Sequence, residues 1–214
     1  MNDVADGAAL GFLKTGDIVL FAGRGLTHGL ARWFGRTPWS HVAMVLRTSN
    51  DAEPRLWEAI RAGAHRGTGV VRLAARIAAF RGRVSVRCLN RALAVGQCER
   101  LEGLRRELDE RAARRGLIDL MGAADDGWLG AGPDMLGDPM DGELVALAYQ
   151  RLGLLDDVAH GGMPPSRYRP ERFAEACRLE LKSGYALGPE LVLRDTEAAT
   201  AWNGARPQTA EIPG

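Results

Sequence analysis

The sequence predicts one α+β domain in which an antiparallel sheet of about five to six strands packs against two amphipathic helices. Three observations lead to this prediction. The first part of the chain contains short apolar, β-branched segments joined by short turns, which is typical of antiparallel strands. From residue 92 onward, the apolar residues recur at helical spacing instead. The 214 residues contain no repeat or linker-like segment, and this length suits a single hydrophobic core.

The predicted strands follow one another closely. The first comes directly after the turn at residues 14–17, and its apolar run indicates a strand buried on both faces. A hairpin-type turn at residues 49–51 separates the second strand from the third. A short amphipathic helix is predicted at residues 27–35, between the first two strands. The strands are predicted at residues 18–21, 41–46, 56–60, 69–73, 83–89 and, near the end of the chain, 191–194.

Two longer helices are predicted in the second half of the chain. Residues 92–115 carry an apolar stripe that includes Cys98, with Gly116 as the C-cap. Residues 117–137 are rich in glycine and aspartate, so we expect an irregular loop there. The second helix carries Leu144, Val145 and Ala148 on one side and ends near Gly153. A further loop is expected at residues 156–165 and a short helix at residues 170–176.

Within this single domain, residues 13–194 are expected to form the folded unit. Residues 1–12 are expected to be an N-terminal extension. Residues 195–214 are rich in alanine, threonine and proline and show no periodicity, so they predict a flexible C-terminal tail.

Composition argues against several classes of protein. The net charge is +1 and the arginines are scattered, which argues against a general nucleic-acid binder. The N-terminus lacks a basic start followed by an apolar run, so no Sec signal peptide is predicted. No segment reaches the roughly 18 apolar residues that a membrane span needs. The cytoplasm is the default expectation, and incorporation into a particle or export by another machine fits the same sequence.

Six motifs occur in one order along the chain. Residues 13–21 read LKTGDIVLF, residues 39–45 read WSHVAMV, and residues 56–59 read LWEA. Residues 143–155 read ELVALAYQRLGLL, and they are followed by PSRYRP at residues 165–170 and LGPE at residues 187–190. Together the motifs resemble the permuted papain-like, NlpC-type cysteine amidases and peptidases. The resemblance implies the permuted papain-like fold, with the helix from residue 143 as the nucleophile-type helix.

The resemblance also implies a set of site residues. His41 stands at the position of the catalytic histidine, and Glu58 at that of the group that orients it. Asp141 and Gly142 stand where the nucleophile helix of the family begins with cysteine and serine. This agrees with what a thiol amidase needs: a thiol at a helix N-terminus, a base beside it, and a carboxylate that holds the base. His41 and Glu58 are 17 residues apart on neighbouring predicted strands, which can bring them together. Here aspartate replaces the cysteine.

None of the cysteines of the chain is expected to replace the missing nucleophile. Cys88, Cys98 and Cys177 all fall at core-like spacings, where burial raises the thiol pKa and weakens the nucleophile. An odd, sparse set of three also argues against a disulfide framework. No CxxC or HExxH spacing is present, so neither a cofactor nor a metal is predicted from local motifs.

Asp141 has several interpretations. A structural role is favoured, in which Asp138 or Asp141 caps the helix N-terminus. Asp141 could instead pair with His41 and hold it as imidazolium. As a third hypothesis, His41, Glu58 and Asp141 could together form a divalent-metal ligand set.

Two functional hypotheses follow. The favoured one is a non-catalytic homologue that serves as a binding or structural module. Its ligand would be a peptide, a peptidoglycan fragment or an acyl group, or it would act within a protein assembly. The alternative is an active hydrolase or acyltransferase on amide or ester bonds, with His41, Glu58 and a non-standard nucleophile or an activated water. Whether the protein is an enzyme therefore stays open at this point, with the non-catalytic hypothesis favoured.

Overall fold

The computed structural model describes residues 10–23, 38–47, 53–62, 65–120 and 141–195. Within these ranges the chain is α+β, with a six-stranded antiparallel sheet and three α-helices. The sheet order is β4-β3-β2-β1-β5-β6. The strands are β1 (Ile18–Gly23), β2 (His41–Leu46), β3 (Arg55–Ala62), β4 (His65–Arg72), β5 (Gly82–Arg87) and β6 (Leu191–Asp195).

The helices cover the sheet from both sides. They are α1 (Leu73–Ala79), α2 (Val95–Leu120) and α3 (Asp141–Arg151). The apolar residues of α2 and α3 pack on alternate residues of the strands, among them Ile18, Leu20 and Val42. The intervening strand residues, such as Val19 and Phe21, pack with α1 on the other face. This alternation follows from the two-residue period of a strand and gives the sheet a core on each side.

The Gly-Asp pair before β1 ties the sheet together. The Asp17 carboxylate is buried and accepts hydrogen bonds from the main-chain N–H groups of Lys14 and Leu89. The buried Tyr149 hydroxyl on α3 donates to the Gly16 carbonyl oxygen at 2.8 Å. Both contacts satisfy polar groups that would otherwise be buried without partners. The motif at the start of β1 therefore connects β1 with β5 and with α3.

Several predicted elements differ from the structure. Helix α2 does not end at residue 115 but continues through Gly116 to Leu120, so the predicted C-cap is wrong. The segment after β4 is the helix α1, which was not predicted. Residues 170–176 were predicted as one short helix and form two short 3-10 turns, at Pro170–Phe173 and Glu175–Cys177.

Other predictions fall outside the described residues. These are the helix at residues 27–35, most of the loop at residues 117–137, and nearly all of the N-terminal extension and the C-terminal tail. In the described part of the chain, none of the helices combines the length and the apolar character needed to cross a membrane.

Candidate functional site

The three predicted site residues meet at one end of β2. His41 is the first residue of β2, Glu58 lies on β3, and Asp141 is the first residue of α3. The His41 Nε2 atom lies 2.6 Å from Glu58 Oε2, and the Nδ1 atom lies 2.9 Å from Asp141 Oδ2. Each ring nitrogen of His41 therefore faces one carboxylate.

The layout of the strands explains the contact with Glu58. Strands β2 and β3 pair through residues 44–46 and 55–57, and Glu58 follows directly after this ladder. His41 lies beside Phe21 on β1, with ring centroids 5.3 Å apart. By the two-residue alternation of the sheet, His41 and Glu58 belong to the face that α1 covers. Asp141 comes from α3, so the site joins the two layers of the molecule.

Helix α1 adds a fourth residue, Arg76, that sequence reasoning missed. Its Nε atom donates to both oxygens of Glu58, at 3.1 and 3.2 Å. Its guanidinium carbon lies 4.9 Å from the ring centroid of Phe21 and 5.5 Å from that of Phe80. The arginine therefore fixes the carboxylate that contacts His41. The fourth strand was predicted to end at Leu73 and no element was predicted for the residues that follow, so no signal placed Arg76 near the site.

The geometry determines the charge on His41. Ionised carboxylates only accept hydrogen bonds, so a ring with both nitrogens on carboxylates must carry two protons. Burial alone would lower the pKa of His41, but the hydrogen bonds with Asp141 and Glu58 outweigh it and raise the pKa to about 9. Burial raises the pKa of Glu58, but His41 and Arg76 lower it by more, so the pKa of Glu58 is lower than usual. The site is therefore an imidazolium between two carboxylates.

This arrangement argues against the metal hypothesis. A histidine binds a metal through the lone pair of a neutral ring nitrogen, and a metal here would have to replace a proton that His41 shares with a carboxylate. Among the residues that the structure describes, no group of three or more histidine, cysteine, aspartate or glutamate side chains is arranged to hold a metal ion.

The structure does not show Asp141 in the helix-capping role that the sequence favoured. Asp141 is the first helical residue of α3, and its side chain, which is 31% exposed, contacts His41 instead. A carboxylate in the first turn of a helix is still favourable, because it faces the positive end of the helix dipole. Capping by Asp138 lies outside the described residues.

The prediction that all three cysteines are buried is wrong for two of them. Cys98 and Cys177 are exposed, and Cys98 lines a cavity beside α2 rather than being packed into the core. Cys88 is half-buried; burial and then the nearby Asp17 raise the pKa of its thiol to about 11. None of the three is among the partners of His41.

The raised pKa of His41 predicts a loss of stability at alkaline pH. A rise from 6.5 to about 9 corresponds to roughly 3 kcal/mol of stabilisation. Because the folded-state value is the higher one, this contribution is complete below pH 6.5 and disappears as the pH rises through about 9. Urea unfolding between pH 6 and pH 10 should show this decrease, and ring-nitrogen NMR should report a doubly protonated His41 at pH 7.5.

The matched control for that measurement is Asp141→Asn. The amide keeps the shape of the side chain but removes one of the two charges that hold the proton on His41. The alkaline transition should then move to lower pH, whereas changing the exposed His160 to glutamine should leave it in place. A native His41 that titrates near its ordinary value would contradict the prediction.

Comparison with known proteins assigns no family to this chain. No protein-family model matches the sequence, and no curated protein matches it.

Proposed function

We propose that the chain is a non-catalytic homologue of the permuted papain-like, NlpC-type amidases and peptidases, and that it acts as a binding or structural module. The proposal rests on the six ordered motifs of the sequence and on one observation at the site: the imidazole of His41 is held between Asp141 and Glu58 at 2.9 and 2.6 Å. Suitable ligands would be a peptide, a peptidoglycan fragment or an acyl group, and a partner within an assembly is the alternative occupant.

The chemistry of this arrangement supports a non-catalytic role. A thiol amidase needs a thiol that passes its proton to the histidine, and the activated-water alternative needs a histidine with a free lone pair. At neutral pH the doubly protonated His41 has no such lone pair. Its neighbour Asp141 offers a carboxylate, and attack by a carboxylate on an amide would produce a high-energy anhydride. The same ion pair instead joins α3 to the sheet, which suits a structural or binding role.

The decisive experiment compares the native chain with Asp141→Cys. Both proteins should carry Cys98→Ser and Cys177→Ser, because alkylation of those exposed thiols would mask alkylation at residue 141. We expect no turnover of amide, ester or muropeptide substrates by the chain that keeps Asp141. In Asp141→Cys, the new thiol lies at the start of α3 beside His41, where both lower its pKa. Its iodoacetamide alkylation at pH 7 should exceed that of a simple thiol by about tenfold or more.

The control is the same cysteine variant with His41→Ala. Alkylation should then fall to the rate of an ordinary exposed thiol, because the imidazolium that stabilises the thiolate is gone. Turnover by the native chain that disappears with His41→Ala would overturn the proposal and support the hydrolase alternative. An Asp141→Cys thiol that reacts equally with and without His41 would remove the support for a site of the amidase type.

A further inference from the structure

A cavity of about 700 Å³ lies at the other end of β2 from His41. Leu46, the last residue of β2, is part of its wall, and it lies roughly 17 Å along the strand from His41. The cavity opens between the sheet and the first half of α2. Small-molecule sites commonly measure about 300–1,000 Å³, so this cavity has room for a ligand. It is lined by none of the residues His41, Glu58 and Asp141, so it is a separate feature.

The floor of the cavity is apolar. Leu46 and Val70 come from the sheet, and Leu101 comes from α2. Val70 lies opposite Trp57 in the ladder between β3 and β4, on the face that packs against α2. Although it faces this layer, Val70 is 37% exposed. A ligand with an apolar body would remove this surface from water, which is favourable.

The rim of the cavity is positively charged. Four arginines and two glutamates line it, so the lining carries a net charge of +2. The arginines come from two sides, two from the ends of β2 and β3 and two from α2. They are Arg47, Arg55, Arg105 and Arg106, and the glutamates are Glu99 and Glu102. Such a rim favours an anion over a cation.

Two of these arginines have positive charge to offer a ligand. Arg106 is 67% exposed, and its Nε atom lies 3.7 Å from Glu102, beyond hydrogen-bond distance. Arg47 donates through Nη1 to the main-chain carbonyl oxygens of Gly11 and Leu13, which are neutral acceptors. Arg105, in contrast, already forms ion pairs with two carboxylates of α2, those of Glu102 and Asp109. Arg47 and Arg106 are therefore the candidate anion contacts.

We propose that this cavity binds a small organic anion, in which one carboxylate or phosphate group is attached to a compact apolar body. The acidic group would bond to Arg106 and Arg47, since guanidinium groups form strong, charge-assisted hydrogen bonds with such anions. The apolar body would cover Val70 and Leu46. This site does not depend on the ion pair of His41, so it goes beyond the proposed function and can be tested separately.

The test uses the full chain and a matched set of probes, with binding followed by calorimetry and by amide NMR shifts. Phenyl phosphate and hexanoate are the anionic probes. Three comparison probes each change one feature. Phenol lacks the charge, inorganic phosphate lacks the apolar body, and benzyltrimethylammonium carries the opposite charge. We expect one saturable site for at least one anionic probe, with binding about tenfold or more weaker for all three comparison probes.

Variants then assign the site. Arg106→Glu changes an exposed side chain and should weaken binding about tenfold or more without loss of folding. Val70→Asp should also abolish binding, whereas His41→Gln should leave it unchanged. Absence of saturable binding, equal binding of the cation, or full binding by Arg106→Glu would each overturn the proposal. Loss of binding in a His41→Gln protein whose amide NMR spectrum shows that it is still folded would assign the anion to the His41 site instead and would likewise overturn it.

Discussion

Replacement of Arg87 by methionine is expected to lower the free energy of unfolding by about 3–5 kcal/mol. Arg87 on β5 is only 4% exposed, and it donates to three main-chain carbonyl oxygens. The acceptors are Gly188 at 2.7 Å, Phe173 at 2.8 Å and Leu187 at 3.0 Å. Methionine fills a similar volume but donates to none of them, so buried acceptors lose their partners. Chemical denaturation measures the loss directly.

The expected loss of stability is large because the three hydrogen bonds of Arg87 hold the long segment that follows α3. Burial lowers the pKa of the Arg87 guanidinium, because its charged form is removed from water there. Arg87→Lys keeps the charge, but a single ammonium group cannot reproduce the planar fork, so an intermediate loss is expected. Arg100→Met, at an exposed position on α2, is the matched control and should change stability by less than about 0.5 kcal/mol. An Arg87→Met protein as stable as that control would contradict the assigned role.

Replacement of Gly142 by alanine is expected to cost about 2–3 kcal/mol and to disturb the His41 site. Gly142 is the second residue of α3 and is buried. An added Cβ atom would lie within 3.0 Å of the Tyr168 carbonyl oxygen and of the main chain of Arg169. Main chain cannot rotate away as a side chain can, so α3 or the segment at residue 168 must move. Because Asp141 precedes Gly142, the same movement should weaken its contact with His41 and lower the pKa of His41.

Gly103→Ala provides the matched control. Gly103 is an exposed glycine within α2, and an added Cβ atom there meets no other atom within 4 Å. Alanine should stabilise that helix by about 0.5–1 kcal/mol. If Gly142→Ala behaved like Gly103→Ala and left the His41 titration unchanged, the close approach between α3 and residue 168 would not matter for the site.

Gly142 also bears on the proposed relationship to the NlpC-type enzymes. The nucleophile helix of that family carries serine at the aligned position, and a serine Cβ would meet the same main-chain atoms here. The two departures from the family pattern are therefore adjacent, at Asp141 and Gly142. In this chain the segment around residue 168 packs against the start of α3, and a cysteine at residue 141 leaves this packing in place.

The sequence by itself determined most of the strand pattern. Runs such as that at Ile18–Gly23 are short, apolar and bounded by turn residues, and this local pattern distinguishes a strand from a helix without tertiary information. It also predicted helix α3, whose apolar spacing is regular. The ordered motifs singled out His41, Glu58 and Asp141, which the structure brings together, while their membership of a catalytic lineage stays a prediction.

Only the tertiary structure decided the features that depend on distant neighbours. Helix α1 has seven residues, too few for a helical period to stand out, so the contact of Arg76 with Glu58 follows only from the packing of α1 on the sheet. Cys98 is exposed because α2 and the sheet leave a cavity beside it, which the helical spacing alone does not reveal. The charge of His41 follows from two carboxylates that approach from β3 and α3. Hydrogen bonding and burial across separate elements set that charge, and neither can be read from spacing along the chain.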